Sequence, residues 1–449
     1  MCSRSTRFEF VRAGRRSRVS LTRAAAATSA GSVKTTPPTV VRHRLRRMSG
    51  REPDERDRRV NPLELLFDLT FVVSFAQASD AGADLLAKGD VSAAAGGFTF
   101  TAVTICWLWI NFSWFASGFD TDDWLFRLTT MVQMAGVIVL ALGVAPVFES
   151  IAESESVDVG VLVAGYVVVR SAMVGQWLRV ARQDRAHRRA ALTYVTSIVV
   201  AQIGWVALAA TGPSNTEFAA AIVGLYSIEM AGPVLAKRAE GGTPWHPHHI
   251  AERHGLMFIV TLGEAILATI AAVSAAVESV GWSAEAVLLV AAGTGLTLGL
   301  WWDYFIVPFG TFLSRGRSRT WSYGYGHILI FTSVVAIGMG LHTAAYVVAG
   351  EAIIDVPGTV VAIAEPMLVF NFAYFGVYSL LVRAVDRFHL LLLSGTIAVL
   401  GAGVVAAYAG VSLGWCLVAL AASPFVTVVG YETVGHRHIA ADIRAVWAG

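Results

Sequence analysis

From Leu65 onward the chain is a succession of apolar runs of about 20 residues separated by short polar loops, and this spacing leaves few folds open. A helix rises about 1.5 Å per residue, so each run matches the roughly 30 Å hydrocarbon core of a bilayer. Twelve runs are legible, near residues 65–86, 93–116, 124–148, 157–180, 190–211, 217–236, 250–275, 284–307, 323–349, 359–382, 388–409 and 412–430. The spacing predicts an all-α polytopic membrane protein of about twelve transmembrane helices. Composition agrees, with 55% hydrophobic and only 15% charged residues, against roughly 25% charged in a typical soluble domain.

The position of the charges says more than their sum. Residues 1–60 hold 16 basic and 5 acidic side chains, and the remaining chain 18 basic and 27 acidic. A basic polar tail therefore precedes an acidic membrane body. No recognition helix or aromatic platform accompanies the tail, which argues against a nucleic-acid partner. Met1–Arg47 also lacks the apolar stretch of a secretory signal. Met48 opens a short polar lead into the first run, so Met48 is the expected start and residues 1–47 a mis-assigned extension. The three cysteines, Cys2, Cys106 and Cys416, exclude a disulfide framework or a Cys-based zinc site.

Loop charges predict an orientation. Arg179, Arg182, Arg185, Arg188 and Arg189 follow span four, Lys237 and Arg238 span six, and Arg315, Arg317 and Arg319 span eight. Arg383 and Arg387 follow span ten, with Arg437 and Arg444 beyond span twelve. The opposite loops carry Glu149, Glu153, Glu155, Asp158, Glu351 and Asp355, with Lys88 as their one base. This pattern places both termini in the cytoplasm, and the protein in the cytoplasmic (inner) membrane with lipid as its surroundings. The loop Asp120, Asp122, Asp123 runs against the trend.

The chain also echoes itself. Phe71-Val-Val-Ser-Phe-Ala-Gln77 aligns with Phe258-Ile-Val-Thr-Leu-Gly-Glu264, Leu108-Trp-Ile-Asn-Phe112 with Leu300-Trp-Trp-Asp-Tyr304, and Asp184-Arg-Ala-His187 with Asp386-Arg-Phe-His389. The three matches in register predict two parallel six-helix repeats, residues 61–240 and 241–449, the second ending in a short cytoplasmic C-terminus.

Two stretches carry a family likeness. Asn61-Pro-Leu-Glu-Leu-Leu-Phe-Asp-Leu69, leading into Phe71-Val-Val, resembles the opening signature of the bacterial low temperature requirement A (LtrA) family. His249-Ile-Ala-Glu-Arg-His-Gly-Leu256, running into Leu262-Gly-Glu264, is similar to its second signature. The resemblance covers the chain from about Pro62 to the C-terminus, with His254 where an aromatic is expected and Leu66 where a second Phe is common. It implies a multi-pass bacterial membrane protein linked to growth in the cold, and leaves the molecular activity open.

Ionisable residues at membrane depth are costly, so each is a candidate for function. Gln77 lies twelve residues past Leu65, and Glu264 fourteen past Ile250, which puts both near mid-bilayer. Ser74 with Gln77, and Thr261 with Glu264, share a face by i,i+3 spacing and are expected to meet across the repeat as a midplane site for substrate or a coupling proton. Glu64, Asp68, Glu252 and Arg253 form a candidate gate or structural ion pair at the mouths of spans one and seven, with Arg253 reaching Asp68. Arg170 in span four needs an acidic partner, either Glu229 or Glu365. Gly232-Pro233 and Ser423-Pro424 are expected to interrupt helices at corresponding places. No metal site is expected, His249 with Glu252 being the one weak pairing, and no cofactor motif is present. The expected activity is secondary transport of an unknown small solute or ion coupled through Glu264. A membrane-embedded enzyme acting on lipid or envelope precursors and an ion channel are the alternatives.

Overall fold

The computed structural model describes residues 45–55, 58–153, 156–315 and 320–448. The tail preceding residue 45 lies outside the described residues. The helices are α1 (Pro62–Ala87), α2 (Val91–Phe119), α3 (Trp124–Leu142), α4 (Val144–Glu153), α5 (Gly160–Gln183), α6 (Arg188–Thr211), α7 (Asn215–Arg238) and α8 (Pro247–Val280). They continue as α9 (Ala284–Phe305), α10 (Phe309–Arg315), α11 (Thr320–Ala349), α12 (Val356–Val382), α13 (Arg387–Tyr408), α14 (Leu413–Ala421) and α15 (Ser423–Gly430), then a π-helical turn Tyr431–Gly435 and α16 (His436–Ala448). There is no strand among the described residues. Where α3–α4, α9–α10 and α14–α16 are each taken as one bent rod, twelve rods result, and eleven are long and apolar enough to cross a membrane. The exception is α1, which carries Glu64, Asp68, Asp80 and Asp84. The protein is an all-α polytopic membrane protein.

The helix starts follow from local chemistry. Asn61 caps α1 in a reciprocal box with Glu64, both bonds at 2.9 Å, and Pro62 supplies a pre-set first residue. Asp90, Asp123, Ser214, Ser283, Asp355 and Asp386 cap α2, α3, α7, α9, α12 and α13 with their side chains. The two expected helix breaks diverge. The rod of α14 and α15 is interrupted at Ala422, just before Ser423-Pro424, whereas α7 runs unbroken through Pro233. Proline removes an amide and crowds the preceding turn. Ser197 Oγ of α6 donates to the carbonyl of Ile228 at 3.0 Å near this point.

Neighbour relations recur along the chain. The first rod packs on the second and third (α1 with α2 and α3), and likewise α8 with α9 and α11. The pairs α3–α5, α5–α6 and α6–α7 have counterparts in α11–α12, α12–α13 and α13 with α14 and α15. Contacts that join the two sets come from α1 against α8 and α11, and from α2 against α11 and α8.

Residues 45–55 and 58–60 form a strap across the end where α1 begins, here termed the near end. Met48 is fully buried, and its amide donates to Gln183 Oε1 at 2.7 Å. Gly50 N donates to Asp184 Oδ2 at 2.8 Å, Arg51 N to the Gly118 carbonyl at 2.9 Å, and Arg58 Nη2 to the Ala116 carbonyl at 3.2 Å. His246 Nε2 meets the Glu55 carbonyl at 3.0 Å.

The acidic loop that ran against the charge trend is neutralised at this end. Asp120 takes Asn61 Nδ2 at 2.8 Å and Arg58 Nη2 at 3.5 Å, Asp122 pairs with Arg127 at 2.8 Å, and Asp123 with Arg179. Asp123 also caps α3 through the Phe126 amide and receives the Arg46 amide. Burial pushes its carboxyl up, but the Arg179 hydrogen bond and these amides outweigh that and hold it down at about 2. A depressed native pKa stabilises the fold above the ordinary value of 3.8, and that stability is lost as pH falls through about 2. Asp123→Asn keeps the cap and removes the charge. The variant is expected to be less stable than the parent by about 2 kcal/mol at neutral pH. In detergent unfolding curves the difference should shrink between about pH 4 and pH 2. A constant gap across that range would show that the pair contributes nothing through charge.

Candidate functional site

Two helices that start at the same end, α1 and α8, run side by side and carry the polar residues of the site. At the near end Glu64, with no exposed surface, accepts from Asn61 N at 2.9 Å, meets His249 Nε2 at 3.2 Å and takes Arg58 Nη2 at 3.4 Å. One turn deeper, Asp68 Oδ1 accepts from Arg253 Nη2 at 2.7 Å and Trp109 Nε1 at 2.6 Å. Arg253 also donates to Ser113 Oγ at 3.0 Å, and its guanidinium lies 5.6 Å from the ring centres of both Trp109 and Phe112. The expected Asp68–Arg253 contact is thus formed, away from solvent.

Glu252 does not join it. His249 and Arg253, at i,i+4, share the α8 face that meets α1, while Glu252 lies about 100° round the helix from Arg253 and is exposed. The His249–Glu252 metal pairing is therefore not assembled, because His249 turns to Glu64 instead. Among the described residues no group of three or more His, Cys, Asp or Glu is placed to hold a metal ion.

Beyond the ion pair lies an apolar stretch about eleven residues long on α8, or about 16 Å. Phe67, next to Asp68, stacks on Phe112 at 3.8 Å between centroids at the level of the pair itself, and Phe258, five residues past Arg253, stacks on Tyr304 of α9 at 3.9 Å. Past it sits Glu264, 2% exposed. Its Oε1 meets His342 Nε2 at 3.1 Å, and His342 Nδ1 lies 3.4 Å from Asp80 Oδ1. The Asp80 side chain is 60% exposed toward the far end, whereas Glu264 Oε2 is buried and has no hydrogen-bond partner among the described residues. Gly338 of α11 makes this possible: a Cβ there would come within 2.8 Å of Glu264 Cγ. Gly338 and His342 share a face by i,i+4 spacing, so one small residue admits the carboxyl and the next turn binds it.

The other expected midplane residues divide. Thr261 and Ser74 are fully buried, Thr261 Oγ1 bonding back to the Phe258 carbonyl at 2.8 Å and Ser74 Oγ finding no partner. Gln77 is exposed and does not face Glu264. The alignment of the two runs carries depth from one helix to the other but not rotation about the helix axis. The place across from Glu264 goes to His342 and, one turn beyond Gln77, to Asp80.

Arg170 settles on Glu229, not Glu365. Glu229 Oε2 accepts from Arg170, from Trp107 Nε1 at 2.5 Å and from Tyr166 OH at 2.6 Å. Its Oε1 accepts from Trp205 Nε1 at 3.1 Å and Gln202 Nε2 at 3.3 Å. Glu365 is instead exposed, in a groove of about 370 Å³ bordered by α1, α2, α11 and α12.

Three groups escaped the sequence reading: His342, Asp80 and Asp303. His342 shares its apolar run with His327, fifteen residues earlier, a spacing that flags neither. Asp303 stands opposite Asn111 in the repeated Leu-Trp motif, and that polar match was its one signal. It is fully buried in α9, and neither carboxyl oxygen has a hydrogen-bond partner among the described residues.

No curated protein and no solved structure matches this chain. A family model, that of the Bacterial low temperature requirement A protein (LtrA), matches residues 59–423. That stretch contains both ion-pair motifs, Glu64–Asp68 and His249–Arg253, as well as Glu264 and His342. The chain belongs to the bacterial low temperature requirement A (LtrA) family.

Proposed function

We propose that the protein is a secondary transporter of a small solute, coupled to a proton or cation carried on Glu264. One observation carries this reading: a buried carboxyl deep in α8 is linked through His342 to an exposed Asp80 at one end of the bundle. A proton entering at Asp80 can reach Glu264 by two short transfers through the histidine, whose two ring nitrogens serve opposite sides. Toward the near end the route from Glu264 is closed by the Asp68–Arg253 pair, about 16 Å away along α8. Access from one side with closure on the other is what alternating access requires.

Two parallel six-helix halves provide the frame, supported by the recurring neighbour relations and by a matched local pairing. Asp184 meets His187 at 2.7 Å at the start of α6, and Asp386 meets His389 at 3.7 Å at the start of α13. The near end, rich in arginine, is the cytoplasmic one and the protein lies in the inner membrane, consistent with Arg182, Arg185, Arg188 and Arg387 there and Glu149, Asp158 and Glu351 opposite.

The test is solute-driven proton movement in proteoliposomes loaded with a pH-sensitive dye, screened over amino acids, sugars and organic ions. At least one solute gradient is expected to move protons with the parent protein. Glu264→Gln should abolish that movement while solute exchange persists. Equal proton movement in the variant would remove Glu264 from coupling, and a proton current independent of any solute would replace the transporter with a channel.

A further inference from the structure

The groove that holds Glu365 shares no residue with the Glu264–His342–Asp80 chain. One face of α12 forms its floor, because Gly358, Val361, Ala362, Glu365 and Val369 follow i,i+3 and i,i+4 spacing. Its walls are α2 from Val91 to Thr99 and α11 from Leu329 to Met339. The mouth lies at the far end, where Leu86, Val91 and Ile354 meet. From Gly358 to Val369 the groove runs eleven residues along α12, about 16 Å. Small-molecule sites are concave, mostly apolar spaces of about 300–1,000 Å³ with a few placed polar groups. At about 370 Å³ this groove has that size.

Glu365 breaks the apolar surface well inside it. The residue stands nine positions past Val356, about 14 Å along a membrane-spanning helix from its far-end start. A carboxylate at that depth is costly unless paired or wet. Glu365 is exposed to the groove and has no hydrogen bond or ion pair among the described residues. The cation that the sequence offered it, Arg170, is taken by Glu229.

Charge selects the ligand class. Glu365 is the single charged residue lining the groove, and no Lys, Arg or His stands beside it there. The nearby polar groups are acceptors as well. Pro366 has no amide hydrogen, so the Ala362 carbonyl four residues earlier lacks its usual helical donor. Ser333 Oγ gives its hydrogen to the Leu329 carbonyl and keeps only lone pairs to offer. Acceptors around one carboxylate between apolar walls complement a cation that carries an apolar body. The geometry points to a binding site for a hydrophobic ammonium ion, its N–H groups on Glu365 and its apolar part along the groove toward Ile354. Seven residues separate Glu365 from Gly358, about 10 Å, which sets the length of that apolar part. The inference concerns equilibrium binding and does not rest on the transport reading.

The test uses the full chain in phosphatidylcholine nanodiscs, with protein-free nanodiscs as background. Radiolabelled 4-phenylbutylammonium is the probe, and its neutral and anionic analogues, 4-phenylbutanol and 4-phenylbutyrate, are the competitors. The ammonium is expected to bind saturably, one per chain, with each analogue at least about 10-fold weaker, the scale of one charge-assisted contact. Glu365 is exposed, so Glu365→Gln should fold normally and weaken the ammonium by about 10-fold. Ala95→Phe, at an exposed position of α2 that lines the groove, should weaken it by filling the space. Trp301→Phe, on the exposed face of α9, should leave it unchanged. Absence of saturable ammonium binding overturns the inference. So does equal affinity for 4-phenylbutanol, which would make the groove a plain apolar one, or an unchanged constant in Glu365→Gln. A dimer that Ala95→Phe dissociates, with no ammonium bound, would give the groove to a second copy and overturn it too.

Discussion

Arg253→Gln is expected to destabilise the fold by about 3–5 kcal/mol, the usual effect of removing one partner from a buried ion pair. The cost comes from what is left behind. Asp68 is 2% exposed and has one strong donor besides Arg253, the Trp109 indole at 2.6 Å, while its Oδ2 has none. Without the guanidinium, its carboxylate is stranded among Phe67, Phe112 and Trp109. The double variant Asp68→Asn/Arg253→Gln strands no charge, so it should lose less than the sum of the two single losses. Unfolding of the four proteins in the same detergent at neutral pH measures this directly. If Arg253→Gln stays within about 1 kcal/mol of the parent, the pair is not an ionic lock in the native state.

Glu229→Gln is expected to be nearly as severe, although the two side chains have the same shape. All five groups that reach Glu229 are donors: Arg170, Trp107, Tyr166, Trp205 and Gln202. A carboxylate accepts at both oxygens, whereas an amide presents a nitrogen that must face either two or three of these donors. The change also leaves Arg170, 1% exposed, without a counter-charge. Together these predict a loss of about 3–5 kcal/mol. A red shift in the emission of Trp107 and Trp205 should accompany it as their packing loosens. A loss below about 1 kcal/mol would mean that the five donors do not depend on a charged acceptor at this position.

Both networks show what a membrane sequence discloses and what it withholds. The need for partners was legible, because Asp68, Arg170 and Arg253 stand in apolar runs where an unpaired charge is costly. Arg253 could be assigned to Asp68 because the two signatures place them at equivalent mouths. Arg170 could not be assigned, because Glu229 in α7 and Glu365 in α12 both stand within apolar runs, and what separates them is the side of its helix that each turns to a neighbour. That side is set by packing between rods distant in sequence, which helices apolar all round do not announce.

The same blindness to rotation put Gln77 opposite Glu264 and coupled Glu252 to His249. His342 was invisible for another reason. Its role depends on Gly338 one turn away, which leaves space for a carboxyl from a helix some seventy residues earlier. The helix starts, in contrast, were written locally in Asn61-Pro-Leu-Glu64, Asp123 and Asp386.

The strap of residues 45–55 and 58–60 sets an order of events during synthesis. It leaves the ribosome before every helix, yet its partners lie at Ala116, Gly118, Asp123, Gln183, Asp184 and His246. The last of these is translated nearly two hundred residues after Met48. The strap therefore cannot complete its docking until the first six rods have been threaded into the bilayer and α8 has begun. Its docking then reports that this much of the bundle is correctly assembled, so the part of the described chain made first is among the last to find its place.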